Sequence, residues 1–245
     1  MSELLFPTPL ICAVGLLAGV LGGVIGFGTT IVLMPLLVHF YGPLLAVPIL
    51  ALVAIVANLV RVVLWLRAID WRVFGVYSMT GVPAVVLGAH TLVQFNPRLI
   101  ELMLGVFLLV MIPARRWLRR QSFRLGLAHM AAVGGVIGYL TGLVATTGAI
   151  NTPFFLAFGL TKGAYLGTEA ASSLVVLLAK GVTFEQLGVL DHSAIAQGLM
   201  IGAFVLVGST LSKRLVLQLP ERYFVWLMEG VMVVSGLSIL GMVWG

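Results

Sequence analysis

Charge is what this chain has least of. Of its 245 residues only 9% are charged, 14 Lys and Arg against 8 Asp and Glu. A soluble domain carries about a quarter of its residues as charges, because its surface must be solvated. So few charges cannot cover a water-facing surface, which excludes an ordinary soluble globule and makes lipid the solvent for most of the chain. Cysteine is reduced to Cys12, which lies inside an apolar run. A lone thiol cannot form an intrachain disulfide, metal-site spacings are missing, and Cys12 reads as a small buried apolar residue. His39, His90, His129 and His192 include no pair at i, i+4 spacing, so no metal site is expected. There is no Gly-x4-Gly-Lys-Ser/Thr phosphate loop, which argues against ATP hydrolysis. No Ser/His/Asp arrangement stands above chance. Neither a cofactor nor an enzymatic activity is expected.

What is abundant is apolar: 61% of residues are hydrophobic and the mean hydropathy is +1.17. A span needs about 20 mostly apolar residues to cross about 30 Å of hydrocarbon. Long runs cover Pro9–Phe40, Leu44–Leu66, Val73–Phe95 and Leu99–Ile112. An Arg-rich stretch, Arg115 to Arg124, follows. Four more runs cover Leu125–Leu160, Ala164–Thr183, Ala194–Leu211 and Tyr223–Val243. Hydropathy thus gives an all-α integral membrane protein of about eight transmembrane helices. The first run of each group is too long for one crossing and is interrupted by glycines, so it reads as a broken helix. Met1-Ser2-Glu3 lacks a basic n-region, so the first run is expected to be retained rather than cleaved as a signal peptide.

The formal charge of +6 does not point to nucleic acid, since the basic residues sit between apolar runs rather than in one stripe. An excess of arginine in cytoplasmic loops is the simpler reading.

The second group of runs echoes the first. Gly19-x2-Gly22-x3-Gly26 matches Gly135-x2-Gly138-x3-Gly142, followed by Thr29-Thr30 or Thr146-Thr147 and then by Pro35 or Pro153. Asp70 corresponds to Asp191, Gly81 to Gly202 and Pro97 to Pro220. The order across the whole half reads as a duplication: residues 1–114 form a first repeat, 115–124 a linker, and 125–245 a second repeat. Five arginines place the linker in the cytoplasm, and Arg67 and Arg72 agree with it. Four crossings per half would make the repeats parallel, related by an axis along the membrane normal, but that count puts Lys213 and Arg214 near the outer face. Broken helices that turn back instead would undo the parallel relation.

Transporters commonly bind substrate where a discontinuous helix exposes its backbone near the bilayer midplane. The candidate breaks are Gly22–Thr30 and Gly142–Thr152. Freed N–H groups at a half-helix N-terminus attract anions. The candidate substrate-binding residues there are Gly26, Gly28, Thr29, Thr30, Thr146, Thr147, Gly148 and Asn151, with Thr152 as a further donor. The bland alternative is that the glycines, as in Gly15-x3-Gly19 and Gly138-x3-Gly142, only let helices pack closely. In the second spans, Asn58 and Arg61 lie one turn apart and share a face, as do Thr168 and Ser172, with Ser173 beside them. An ionisable residue within a span is a functional hypothesis by default. Arg61 either faces a ligand or snorkels to the interface, and Lys180 is expected to snorkel. Glu229, about two turns inside the last span, is a candidate for proton coupling or a local structural partner. Glu169, near a span end, either shares the coupling role or simply meets interfacial water.

The stretch Gly19–Pro35, its echo Gly135–Pro153, and the Gly-x-Ile/Leu-Asp loops around Asp70 and Asp191 resemble the TauE/SafE sulfite exporter family of membrane anion transporters. The likeness covers nearly the whole chain. It implies secondary transport of a small sulfur-containing anion, such as sulfite, sulfoacetate or a related organosulfonate, across the inner membrane, with a site between the repeats. The implied partners are that anion and membrane lipid, not nucleic acid; homo-oligomerisation is left open. The rivals are a cation or metal-ion transporter, which would need more carboxylates or histidines inside the membrane, and a membrane scaffold subunit without a substrate.

Overall fold

The computed structural model describes residues 8–22, 28–120, 125–144, 147–160, 162–190, 192–215 and 221–244. Among them the chain is all-helical: α1 (Thr8–Gly22), α2 (Gly28–Trp65), α3 (Trp71–Val93), α4 (Pro97–Arg120), α5 (Leu127–Leu143), α6 (Gly148–Ala157), α7 (Lys162–Gln186), α8 (His192–Leu215) and α9 (Glu221–Trp244), with one 3-10 turn at Leu66–Ala68. Four stretches are long and apolar enough to cross a membrane, Thr29–Ala68, Trp71–Val93, Pro97–Leu118 and Gly163–Gln186. Shorter apolar helical stretches lie at Leu10–Val20, Leu127–Leu143, Ala194–Thr210 and Met232–Gly241.

Local sequence explains the boundaries. α2 is two helical arms joined at Gly42, whose φ of 73° a residue with a Cβ adopts only with strain. Pro43 follows at once and lacks the N–H that would continue the hydrogen-bond ladder. Gly159, at φ 104°, ends the α6 turn in the same way. α3 is capped by Asp70, whose Oδ1 accepts from the N–H groups of Arg72 at 3.0 Å and Val73 at 3.3 Å, satisfying donors that the first turn leaves open.

Both broken runs fold back on themselves. The N–H of Leu125, just before α5, donates to the carbonyl of Ala157 at the end of α6, 3.2 Å away. The two ends of this helix–break–helix unit are therefore adjacent, and α5–α6 is a hairpin. In the first half, Thr29 Oγ1 donates to the carbonyl of Ala18 at 3.2 Å. A continuous helix would separate residues eleven apart by about 16 Å. The start of α2 thus lies back alongside α1.

Contacts fix the helix directions. α3 and α5 run parallel, Gly81 against Gly138 and Gly88 against Gly142. α1 and α8 run parallel, Gly15 against Ile201 and Gly19 against Val205. α4 and α9 are antiparallel, Gly105 against Leu240 and Arg116 against Glu229. The second arm of α2 is antiparallel to α7, Ile55 against Gly181 and Trp65 against Gly163, and parallel to α8, Leu52 against Gly198 and Val56 against Gly202. These directions differ from the expectation of parallel halves, in which α2 and α7, and α4 and α9, would point the same way. The physical reason is the hairpins: each returns to its starting side and adds no net crossing. One end of the bundle consequently collects the ends of helices that carry Arg67, Arg72, Arg115, Arg116, Lys162, Lys213, Arg214 and Arg222, while Arg98 lies at the other end. Exposed Trp65, Trp71 and Trp117 mark the basic end as well, as interfacial tryptophans do.

Close approach is built from glycine. A Cβ at Gly138 would fall 2.7 Å from the Cα of Gly81, and one at Gly142 only 2.6 Å from the Cα of Gly88. The glycines of Gly15-x3-Gly19 and Gly138-x3-Gly142 therefore do serve packing, as small-residue motifs in membranes commonly do. An apolar core around Leu33, Leu37, Leu50, Leu104 and Val205 joins α2, α4 and α8, and a smaller one around Tyr77, Met130 and Phe155 joins α3, α5 and α6.

Candidate functional site

The polar residues of the second spans converge between α2, α3, α6 and α7. Arg61 Nη1 donates to Glu169 Oε2 at 2.8 Å, and Arg61 Nη2 donates to Asn58 Oδ1. Asn58, buried, donates in turn to the carbonyl of Ala54 at 2.8 Å. Glu169 Oε1 accepts from Ser173 Oγ at 2.8 Å and, more loosely, from Asn151 Nδ2 at 3.5 Å. Tyr77, across on α3, donates its hydroxyl to Asn151 Oδ1 at 3.1 Å. Thr152 and Tyr165 share a hydrogen bond of 2.7 Å between α6 and α7. The hydroxyls of Ser172 and Ser78 are buried without a hydrogen-bond partner. A buried hydroxyl left unpaired costs about 1–3 kcal/mol, so these two mark places where a polar ligand or water would be favoured.

A second polar centre lies at the α5–α6 break. The hydroxyls of Thr141 and Thr147 are 2.6 Å apart, both buried. Lys180 of α7, fully buried, donates Nζ to the carbonyls of Thr141 and Val144, the latter at 2.7 Å. The break lies level with Lys180, which is eighteen residues and about 27 Å along α7 from Lys162. It therefore reaches well past the middle of α7.

Several expectations change here. Glu169 does not meet interfacial water: it is 3% exposed and carries the ion pair with Arg61. Arg61 does not snorkel, because its partner on α7 holds it inside. Lys180 does not snorkel either, since the α5 carbonyls hold it within the bundle. Thr168 Oγ1 accepts from the N–H of Asp70 at 2.8 Å and so ties the α3 cap to α7. Glu229 is not among these groups. It accepts from Arg116 Nε at 3.0 Å, a contact between α4 and α9 at the basic end. Thr29 and Thr30 are buried at the start of α2, away from the α7 cluster, and Gly28 is the first residue of that helix. Gly148 opens α6 with Thr147 as its N-cap. Gly26 and Thr146, like Asp191 and Pro220, lie outside the described residues.

Tyr77, Thr141, Tyr165 and the site position of Lys180 were not anticipated from sequence. A signal existed for two of them. Thr141 directly precedes the glycine at the break, and Lys180 follows Ser172 and Ser173 at helical spacing on α7.

Buried polar layers beside helices that fold back, in a bundle with apolar helices of membrane-spanning length, fit a multi-pass membrane protein. The chain belongs to the TauE/SafE sulfite exporter family: the family model matches residues 11–239, nearly its full length. Membership carries the class of a membrane transporter for small anions and not that of an enzyme. No curated protein and no solved structure matches significantly.

Proposed function

We propose that this protein is a secondary transporter that moves a small sulfur-containing anion, sulfite or an organosulfonate such as sulfoacetate, across the inner membrane. The observation that carries this reading is the pair of re-entrant hairpins, α1 with the first arm of α2, and α5 with α6, which enter the bundle from opposite ends. Irregular backbone at membrane depth is tolerated only where protein covers it or a water-filled cavity lines it, and such breaks are where transporters bind substrate.

In this reading residues 1–114 and 125–245 are two repeats, joined by the cytoplasmic linker 115–124, and they are inverted rather than parallel. Three features support the inversion. Each half has a hairpin plus three crossings, an odd number. The contact α1–α8 has its counterpart in α5–α3, and α2–α8 in α7–α3, as an exchange of halves requires. Basic residues at helix ends gather on the linker side with Arg98 alone opposite, as the positive-inside rule demands. Alternating access then arises from one half rocking against the other, about the antiparallel pairs α2–α7 and α4–α9.

Substrate contacts are assigned to Gly26, Gly28, Thr29 and Thr30 in one break, Thr146, Thr147, Gly148 and Asn151 in the other, and Asn58, Arg61, Thr168, Ser172 and Ser173 between α2 and α7. Of the two carboxylates proposed for proton coupling, Glu169 lies among these groups, whereas Glu229 is a tether to Arg116. An inside-negative potential drives anion export at about 2.3 kcal/mol per charge per 100 mV. The test is thermal stability of the purified protein with sulfite, sulfate, sulfoacetate, taurine, acetate or chloride at constant ionic strength. A selective upward shift with sulfite or a sulfonate is expected, because a ligand bound to the native state raises its stability. A shift confined to metal cations, or to none of the panel, counts against an anion carrier.

A further inference from the structure

The groups bonded to Glu169 are those that bind anions. Its Oε2 takes Arg61 Nη1 at 2.8 Å, and its Oε1 takes Ser173 Oγ at 2.8 Å and Asn151 Nδ2 at 3.5 Å. Guanidinium, hydroxyl and amide, brought from α2, α7 and α6, converge on a carboxylate that is 3% exposed. Charge-assisted donors of this kind would hold any small oxyanion. The resident anion is the protein's own side chain.

Two further hydroxyls at the same place have nothing to bond. α3 and α7 run side by side in the same direction, Asp70 against Thr168 and Gly81 against Val176. Ser78 lies one turn before Gly81, and Ser172 one turn before Val176, so the two serines stand level on the facing sides of α3 and α7. Ser172 is also one turn beyond Glu169. Ser172 is 0% and Ser78 8% exposed, and neither hydroxyl has a hydrogen-bond partner. A carboxylate has two oxygens, and those of Glu169 are already met by donors. A sulfonate or sulfite has a third, which the spare hydroxyls would serve.

Charge sets the condition for the exchange. Arg61 and Glu169 neutralise one another, so an anion added beside them would be a buried charge without compensation, which is costly. A proton on Glu169 removes that cost, because Arg61 then balances the incoming anion. The other groups facing Glu169 do not supply the balance. Tyr77 on α3 and Tyr165 on α7 are phenols bonded to Asn151 and Thr152, and α6 contributes only those neutral side chains. Asp70 uses its carboxylate to cap α3, and Arg67 in the 3-10 turn is exposed. On α5, His129 accepts from the Gly126 N–H and Tyr139 donates to Thr91. Lys180 is eleven residues and about 16 Å along α7, bonded to the Thr141 and Val144 carbonyls.

We infer that this cluster is a site for a three-oxygen sulfur anion, which replaces the Glu169 carboxylate on Arg61, Ser173 and Asn151 as Glu169 takes up a proton from water. Ser78 and Ser172 hold the third oxygen and favour a sulfonate over a carboxylate. The inference rests on the anion-carrier reading and gives Glu169 a defined part in it: proton and anion bind together. For the sulfite dianion or sulfoacetate, one bound proton leaves a negative charge to be carried, so the membrane potential still acts on its movement.

The test is anion-dependent thermal stabilisation of the full chain purified in detergent. The probes are methanesulfonate, which keeps its single charge throughout, and acetate, at fixed ionic strength between about pH 6 and pH 8. For wild type the half-stabilising methanesulfonate concentration is expected to rise about tenfold per pH unit, as uptake of one proton with the anion requires. Glu169→Gln, already neutral at this position, is expected to lose that slope and to bind methanesulfonate more tightly than wild type at the upper pH, since the anion restores a partner to Arg61. Ser78→Ala/Ser172→Ala leaves the ion pair in place and is expected to weaken methanesulfonate about three- to tenfold, the loss of a neutral hydrogen bond, with acetate unaffected. The wild-type slope and the serine variant decide the matter if Glu169→Gln does not fold. A wild-type titration independent of pH, a slope that persists in Glu169→Gln, or a serine variant that binds methanesulfonate like wild type overturns the site while the transport reading stands. A wild-type protein stabilised by no anion, sulfite and sulfoacetate included, at any pH overturns the transport reading itself.

Discussion

Arg61 and Glu169, 108 residues apart in the chain, are joined by an ion pair of 2.8 Å between α2 and α7, with side chains 12% and 4% exposed. Removing one partner strands the other charge inside the bundle. Glu169→Gln is expected to lower stability by about 3–5 kcal/mol, the range for breaking a buried pair. The double variant Arg61→Met/Glu169→Met should recover part of that loss, because it leaves no charge behind. Melting temperatures of wild type, Arg61→Met, Glu169→Met and the double variant in one detergent check this; a double variant whose loss equals the sum of the two single losses would show that the two residues act independently.

Helix packing at the α3–α5 contact gives a paired prediction. A Cβ at Gly138 meets backbone atoms of Gly81, whereas one at Gly135 meets nothing closer than 3.9 Å. Gly138→Ala should destabilise by about 1–3 kcal/mol through overpacking. Gly135→Ala should be neutral or slightly stabilising, since alanine favours the helix over glycine. Equal effects at the two positions would mean that the helices do not approach as closely as described.

Topology is open to labelling, because Cys12 is the one native thiol and is buried. Single cysteines at positions 98, 162 and 213 should divide two ways under a membrane-impermeant maleimide. Arg98→Cys is expected to react in intact cells, and Lys162→Cys and Lys213→Cys only after permeabilisation. Labelling of positions 162 and 213 from outside would restore the parallel arrangement.

The membrane class was legible because it depends on composition and run length alone. The breaks were legible too, as runs such as Leu125–Leu160 too long for one crossing. Whether such a run crosses or returns was not. Hydropathy reports depth but not direction, and the choice turns on a tertiary bond between Leu125 and Ala157. The side of Lys213 and Arg214 was misassigned for the same reason. Asn58 and Arg61 were correctly read as sharing a face, since helical periodicity fixes that. Glu169 was misread because its partner belongs to a distant helix, and position within a span says nothing about what lies opposite.

Glu229 meets Arg116, a residue 60% exposed at its side chain, and stands apart from the α7 cluster. Glu229→Gln is therefore expected to leave the pH dependence of anion flux unchanged and to lower the melting temperature only slightly. A flattened pH profile in this variant would return Glu229 to the coupling pathway.

The most direct measurement is uptake of sulfur-35 sulfite into proteoliposomes holding the purified protein, with an inside-positive potential set by a potassium gradient and valinomycin. The expected result is saturable uptake above that of empty liposomes, competed by sulfoacetate and accelerated by the potential. Folded protein that carries sulfite and sulfoacetate no faster than empty liposomes, under either polarity, would contradict an anion carrier built on these two hairpins.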